Sequence, residues 1–251
     1  MGSPKSELFS PKEGELERDE DEVEHQIELD GFWMAKREVT QWQYVKITGR
    51  QNPSYFCTEG GGAEKVEGLS TDEFPVENVS WEDAQHCIKQ MKIPFGISRI
   101  ALPSEAQWEW ACRGGSGNSR AFHWGNELYG DKANCNGMYP YGGVPDFSSK
   151  RRFLGRTEKV GRYPTAIHPW GLDDMHGNVQ EWCEDFYGPY EKIPEGRNPL
   201  QFVEQLENSR VIRGGAWNSY ATQCRSARRH RNGQGIRIPS VGFRIVLHPE
   251  D

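Results

Sequence analysis

At 251 residues, with 35% apolar side chains, 28 Gly and 9 Trp, the chain can bury a sizeable core and reads as a loop-rich globular protein whose interior rests on aromatics. No apolar run approaches the roughly 18 residues of a membrane-spanning helix and no signal peptide is visible, so a transmembrane segment is not expected. The net charge of −7 is uneven: residues 13–30 are strongly acidic, whereas Ser209–Pro249 holds eight Arg and no Asp or Glu. Without Lys runs or a nucleic-acid motif, this imbalance predicts Arg–carboxylate pairs inside the fold rather than a nucleic-acid partner.

In chain order, residues 1–25 read as a solvated acidic arm in front of one domain over 26–251. The abrupt opening MGSPKSELF leads us to expect an upstream segment, with a cell-surface location if a leader is removed there and a cytoplasmic one otherwise. Strand candidates follow at His25–Leu29 and Phe32–Met34. Thr40-Gln41-Trp42-Gln43 is a capping box, with Val39 and Tyr44 spaced as a hydrophobic staple, and it predicts a helix to about Thr48 that stops at Gly49. Ser80-Trp81-Glu82-Asp83 opens a second helix, with acids in its first turn, expected to reach about Met91. Ser104-Glu105-Ala106-Gln107 opens a third, carrying Trp108 and Trp110 and ending at Gly114-Gly115. Further strands are expected at Ile100–Leu102, Arg210–Arg213 and Gly242–Leu247. Residues 114–170 are rich in Gly, Pro, Asn and Tyr; so long an ordered loop points to bound ions or function. The six Cys include no CxxC pair, which argues against a zinc knuckle, and Cys87 and Cys112 sit at core-like helical positions. No GxSxG, HExxH or P-loop signature occurs.

Six phrases, in order, cover nearly the whole chain: FWMAKREVTQWQY (32–44), PVENVSWEDA (75–84), LPSEAQWEWACRGG (102–115), GLDDMHGNVQEWCEDFYG (171–188), VIRGGAWN (211–218) and VGFRIV (241–246). Together they resemble the formylglycine-generating-enzyme-like, or sulfatase-modifying-factor, family. The resemblance implies an α+β, C-type-lectin-like fold with two to three helices, small antiparallel sheets and much ordered loop. It leaves function open, because the family holds oxidases, binding proteins and accessory domains.

The family's oxidases resemble copper enzymes in which two thiolates five residues apart hold Cu(I), a task for soft sulfur. Counted from Gly214-Gly215, the first of these positions is Ser219 here, and Cys224 falls at the second; anchored on Arg229 and Gly242-Phe243-Arg244, Cys224 misses it. One Cys does not make that site, so no copper is expected, and Cys224 reads as a small apolar filler. The related iron-dependent sulfoxide synthases need an N-terminal helical domain that does not fit before residue 25.

The segment 217–244 is similar instead to the variable region of diversity-generating-retroelement proteins. In those, adenine-directed mutagenesis of AAC codons yields codons ending in C, which encode Asn, Ser, Tyr, Thr, Ile, Pro, Arg, His or Gly, among others, but not Gln, Lys, Glu, Trp or Met. Asn218, Ser219, Tyr220, Thr222, Arg228, His230, Arg231, Asn232, Gly233, Ile236, Ile238, Pro239 and Ser240 are candidate ligand-binding positions on this reading. Trp217, Ala221, Cys224, Arg225, Ser226, Ala227, Arg229, Arg237, Gly242, Phe243 and Arg244 resemble the fixed frame. Gln223 and Gln234 are not reachable from AAC. The expectation is a monomeric, non-catalytic protein that binds a protein or other macromolecular ligand; an ordinary family member with polar loops here is the alternative.

The phrase GLDDMHGNVQEW matches one that holds a structural calcium in the family. The implied ligands are the Asp174 and Glu181 side chains and the Gly177 and Val179 carbonyls, hard oxygens of the kind Ca²⁺ takes. A turn closed by Asp174 without an ion is the alternative. A second family calcium site does not carry over after Asn134, and His176 is left without a role.

Overall fold

The computed structural model describes residues 1–3, 19–115, 118–142, 153–163, 167–192, 196–202 and 208–250. Three helices form where their caps predict: α1 (Gln41–Thr48), α2 (Trp81–Lys89) and α3 (Glu105–Arg113). In each, the N-cap hydroxyl of Thr40, Ser80 or Ser104 accepts from the backbone N–H of Gln43, Asp83 or Gln107, whose side chain reaches back. Gly49 and Gly114 end α1 and α3 in the left-handed conformation. α2 stops at Lys89, short of Met91.

Strands β1 (Trp33–Met34), β2 (Ile97–Ala101) and β7 (Val246–Pro249) make one antiparallel sheet in the order β1-β7-β2. Strands β3 (Gln180–Phe186), β4 (Ser209–Arg213), β5 (His230–Gly233) and β6 (Val241–Gly242) make a second, ordered β5-β4-β3-β6. Among the described residues its only parallel pair is β3 with β6. His25–Leu29 forms no strand; its one pairing is an isolated bridge from Glu28 to Arg197.

The second sheet is covered on both faces. Trp182 and Ile212, cross-strand partners, join Tyr44, Ala84, Cys87, Ile88 and Phe243 beneath α1 and α2. Their neighbours Cys183 and Val211 point the other way and pack with Trp108, Ala111, Cys112 and Met175 around α3. With both faces buried, β3 shows no polar–apolar alternation, which is why it went unread as a strand.

Buried ion pairs stitch the layers together. Arg213, wholly buried, reaches Glu109 at 2.5 Å; Arg229 grips Glu105 at 2.7 and 2.8 Å; and Arg244 grips Glu181 twice at 2.6 Å. Burial alone would push Glu109 up, but the guanidiniums of Arg113 and Arg213 outweigh it and hold the carboxyl below its ordinary value. The acidic stretch takes part as well. Glu22, expected in a solvated arm, is buried and holds Arg225 through two 2.7 Å bonds. It sits inside because the Arg225 guanidinium is itself buried and needs a counter-charge.

Candidate functional site

The segment after β4 is launched by Gly214 and Gly215, both at positive φ (98° and 72°). A Cβ on Gly215 would lie 2.4 Å from the Cys224 sulfur, so only glycine lets the chain turn this close to the layer below. A tight turn follows: the Ser219 N–H donates to Ala216 O (2.9 Å), and the Ser219 hydroxyl accepts from Ala216 N (3.0 Å). The chain then makes a short 3-10 turn (Ala221–Cys224), runs out along β5 and returns through 234–240 to β6.

The frame expected from the sequence is inside. Ala221, Cys224, Arg225, Ser226, Ala227, Arg229, Phe243 and Arg244 are buried. Trp217 is half-buried and donates its indole N–H to Pro239 O (2.9 Å), joining the two ends of the segment. Arg237 is exposed but forked onto Asp83 at 2.7 and 3.0 Å. Both glutamines belong to the frame: Gln223 Oε1 accepts from Tyr220 N, and the Gln234 backbone spans Asn208 and Glu82.

The candidate contact residues divide. Asn218, Tyr220, Arg231 and Ile236 are exposed. Thr222, Arg228, His230, Asn232, Gly233, Ile238 and Pro239 are partly buried. Ser219 and Ser240 lie below the surface. The Ser219 hydroxyl is used by its own turn, and Ser240 is only 7% exposed, so neither side chain stands in the display. Ile238 packs against the core under α1 and α2.

The remainder fall into two places. Around 217–222, Tyr220 meets Tyr139 with ring centroids 4.5 Å apart, Phe153 stacks on Trp217 at 5.9 Å, and Asn218 lies between them in sequence, exposed. Tyr139 and Phe153, each 40% exposed, come from the long loop, and sequence reasoning missed both as site residues. The second place is β5, one of the sheet's two edge strands, and the Arg228 just before it. Arg228 pairs with Asp19 of the acidic stretch, and Arg231 lies over the Tyr187 ring at 4.9 Å. Burial pushes the His230 imidazole down to about 4, with Arg228 and Arg213 adding to the effect, so this ring is neutral near pH 7.

At the expected calcium position, the Asp174 carboxylate accepts from Gly161 N. Both Glu181 oxygens are engaged, by Arg244 and by the Trp108 indole (2.7 Å). Nearby, buried Glu38 accepts from Asn178 at one oxygen, and its other oxygen has no partner among the described residues. Burial pushes Asp174 up to about 6 and Glu38 well above its ordinary value, and the neighbouring carboxylates add to both shifts. Three carboxylates thus share the single Arg244. Among the described residues no group of three His, Cys, Asp or Glu side chains converges as a ready metal site. The excess of carboxylates is a charge that a hard divalent cation would offset, but Glu181 would have to exchange a bond to Arg244 or Trp108 to ligate one. His176, left without a role above, is buried, donates from Nδ1 to Cys224 O (2.8 Å) and accepts at Nε2 from His123 N (3.3 Å).

The family model for the sulfatase-modifying factor enzyme 1-like domain matches residues 5–249. The serine/threonine-protein kinase pkn1 of Chlamydia caviae is 32% identical over 95% of this chain, which spans 36% of that protein's length. The mouse formylglycine-generating enzyme is 31% identical over 77% of this chain and 51% of its own. The chain thus covers between about a third and a half of these relatives. Among solved structures, PvdO from Pseudomonas aeruginosa superposes with a TM-score of 0.73 at 23% identity, covering 99% of this chain and 90% of its own. Treponema denticola variable protein 1 superposes with a TM-score of 0.66 at 24% identity, covering 90% and 87%. Helix order, the two small sheets, the six ordered phrases and the end-to-end family match agree: this chain belongs to the sulfatase-modifying factor enzyme 1-like family, with its C-type-lectin-like fold.

Proposed function

We propose that this chain is a non-catalytic binding protein that presents the turn 217–222 to a macromolecular ligand, most simply another protein. The observation that carries this reading is the open aromatic patch. Exposed Tyr220 stands against exposed Tyr139 and exposed Phe153 stacks on Trp217, on either side of Asn218 in the chain, with the turn held by the Trp217–Pro239 and Gln223–Tyr220 hydrogen bonds. Aromatic anchors on a stiff turn bury much area for little ordering entropy, which suits protein recognition. The likeness in fold to a variable protein supports the same reading, as does the split between a buried frame and exposed codon-compatible residues.

The competing reading is a copper-dependent oxidase, favoured by 31% identity to the mouse formylglycine-generating enzyme. Against it, the position expected to carry the first thiol is Ser219, a hard hydroxyl already committed to its own turn. Structural calcium belongs to the proposal in either case. Asp174, with the Gly177 and Val179 carbonyls, would hold it together with a Glu181 oxygen exchanged from Trp108 or Arg244, and its charge would offset the excess carboxylates around Arg244.

The test is a Cu(I) titration followed by incubation with a cysteine-containing peptide. The proposal expects no aldehyde product by mass spectrometry, and formylglycine in the peptide would overturn it. A near-copy of the coding DNA for residues 217–244 beside a reverse-transcriptase gene, differing only at adenines, would identify the variable class directly.

A further inference from the structure

Two cysteines far apart in sequence meet beneath the aromatic patch. Cys135 lies in the long loop and Cys224 at the end of the 3-10 turn. Both are wholly buried and belong to one apolar cluster with Phe122, Leu128, Tyr141 and Ala221. Their segments are pinned side by side. Asn136 pairs with Tyr220 in a parallel bridge, Asn136 N donates to Ser219 O at 2.8 Å, and Ala221 N donates to Tyr139 O at 3.3 Å. Among the described residues, Cys57, Cys112 and Cys183 meet only oxygen or nitrogen partners, such as Ser54 O at 3.0 Å for Cys57, whereas Cys224, besides a 3.7 Å contact to Tyr220 O, has the Cys135 thiol as a neighbour. For Cys224, the foremost neighbour acting on the thiol is that of Cys135, followed by burial, and together they hold it well above its ordinary value.

We propose that Cys135 and Cys224 form a reversible disulfide, a modification site that locks the loop carrying Tyr139 to the turn carrying Tyr220. The apolar surroundings decide between the two fates open to a pair of thiols. Binding a soft monovalent cation would leave two thiolates and one cation, a net negative charge among Phe122, Leu128 and Tyr141. A disulfide is neutral and costs no charge burial. The same burial sets the oxidant: it must be small, and a peroxide meets that need. One thiolate attacks hydrogen peroxide, giving a sulfenic acid and hydroxide. The second thiol then attacks that sulfur, the S–S bond forms and water leaves. Two thiols and one peroxide give one disulfide and two waters. The reaction is slow at neutral pH because both thiols are buried, and it speeds up as pH rises.

The cross-link closes a loop of 89 residues (224 − 135) in the unfolded chain. A loop of that size raises the melting temperature by about 10 °C if the native geometry accepts the bond. The experiment treats the full chain with hydrogen peroxide. It then counts free thiols after denaturation, maps linked peptides by non-reducing mass spectrometry and follows melting. The expected result is loss of two thiols out of six, a single linked pair joining Cys135 to Cys224, and a melting shift that dithiothreitol reverses. Cys135→Ser and Cys135→Val, made separately because either substitution alone could disturb the cluster, should each retain their remaining thiols. Linked peptides joining other cysteines, loss of two thiols in both Cys135 variants, or six thiols surviving up to the melting temperature would overturn the proposal. None of these readouts depends on a ligand, so this inference stands or falls apart from the binding reading.

Discussion

The two halves of the candidate segment, 217–222 (WNSYAT) and 228–233 (RRHRNG), are both polar but differ in charge, and they meet different fates. Around 217–222 the chain makes a turn braced by its own backbone and by Gln223, and its outward side chains face other exposed aromatics. Along β5, the Arg side chains face an acidic stretch and Tyr187, and His230 is pressed into a dry site. Polarity alone does not make a residue available to a ligand; what matters is whether the fold brings it a partner. Arg225, Arg228, Arg229 and Arg237 each found a carboxylate, so what is free for display is mainly uncharged.

That contrast can be broken most forcefully in the frame. Arg229→Ala leaves Glu105 buried without its bidentate partner and should cost about 3–5 kcal/mol in chemical denaturation. A loss under 1 kcal/mol would mean the buried pairs do not organise the segment. The next effect is pH-dependent. With the folded His230 at about 4 and the ordinary value at 6.5, the unfolded chain takes up a proton across that window while the native state does not. The His230 contribution is therefore complete above pH 6.5 and lost as pH falls towards 4, by roughly 3 kcal/mol. Comparing stability against pH for the parent and His230→Gln isolates it; equal slopes would show that β5 is open to water.

Gly215→Ala should cost about 2 kcal/mol, since it forces a side chain into positive φ and onto the Cys224 sulfur. Thermal melting reads that directly. Asp19→Asn releases Arg228 at the surface and should change stability by less than about 1 kcal/mol. Smallest of all on folding is Tyr220→Ala, expected within about 0.5 kcal/mol of the parent. Yet the same substitution should weaken a cognate ligand at least tenfold if the patch is a hot spot. A variant that loses stability but keeps affinity would reverse the assignment of frame and display.

What could be read from the sequence was whatever is written locally. The three capping boxes place donor and acceptor three residues apart, so the helix starts needed no tertiary contact. The frame residues of 217–244 were legible too, because their order and spacing are shared with a family. Longer-range features were not. β3 has two buried faces and so no period to detect, and in the sequence it shows only as part of a family phrase and of an ion-binding one. Glu22 looks like any acid in an acidic run until Arg225, about two hundred positions later, arrives beside it. Ser219 fits the codon pattern of a displayed residue, and only the turn shows its hydroxyl spent on Ala216.

The sequence by itself determined the family and the helix starts, because both are carried by short-range spacing. The tertiary structure alone decided which of the candidate contact residues face outward, which Arg are neutralised, that Tyr139 stands against Tyr220, and that Cys135 meets Cys224. Those outcomes depend on charge and packing partners delivered from distant segments, and no local pattern encodes the arrival of a partner.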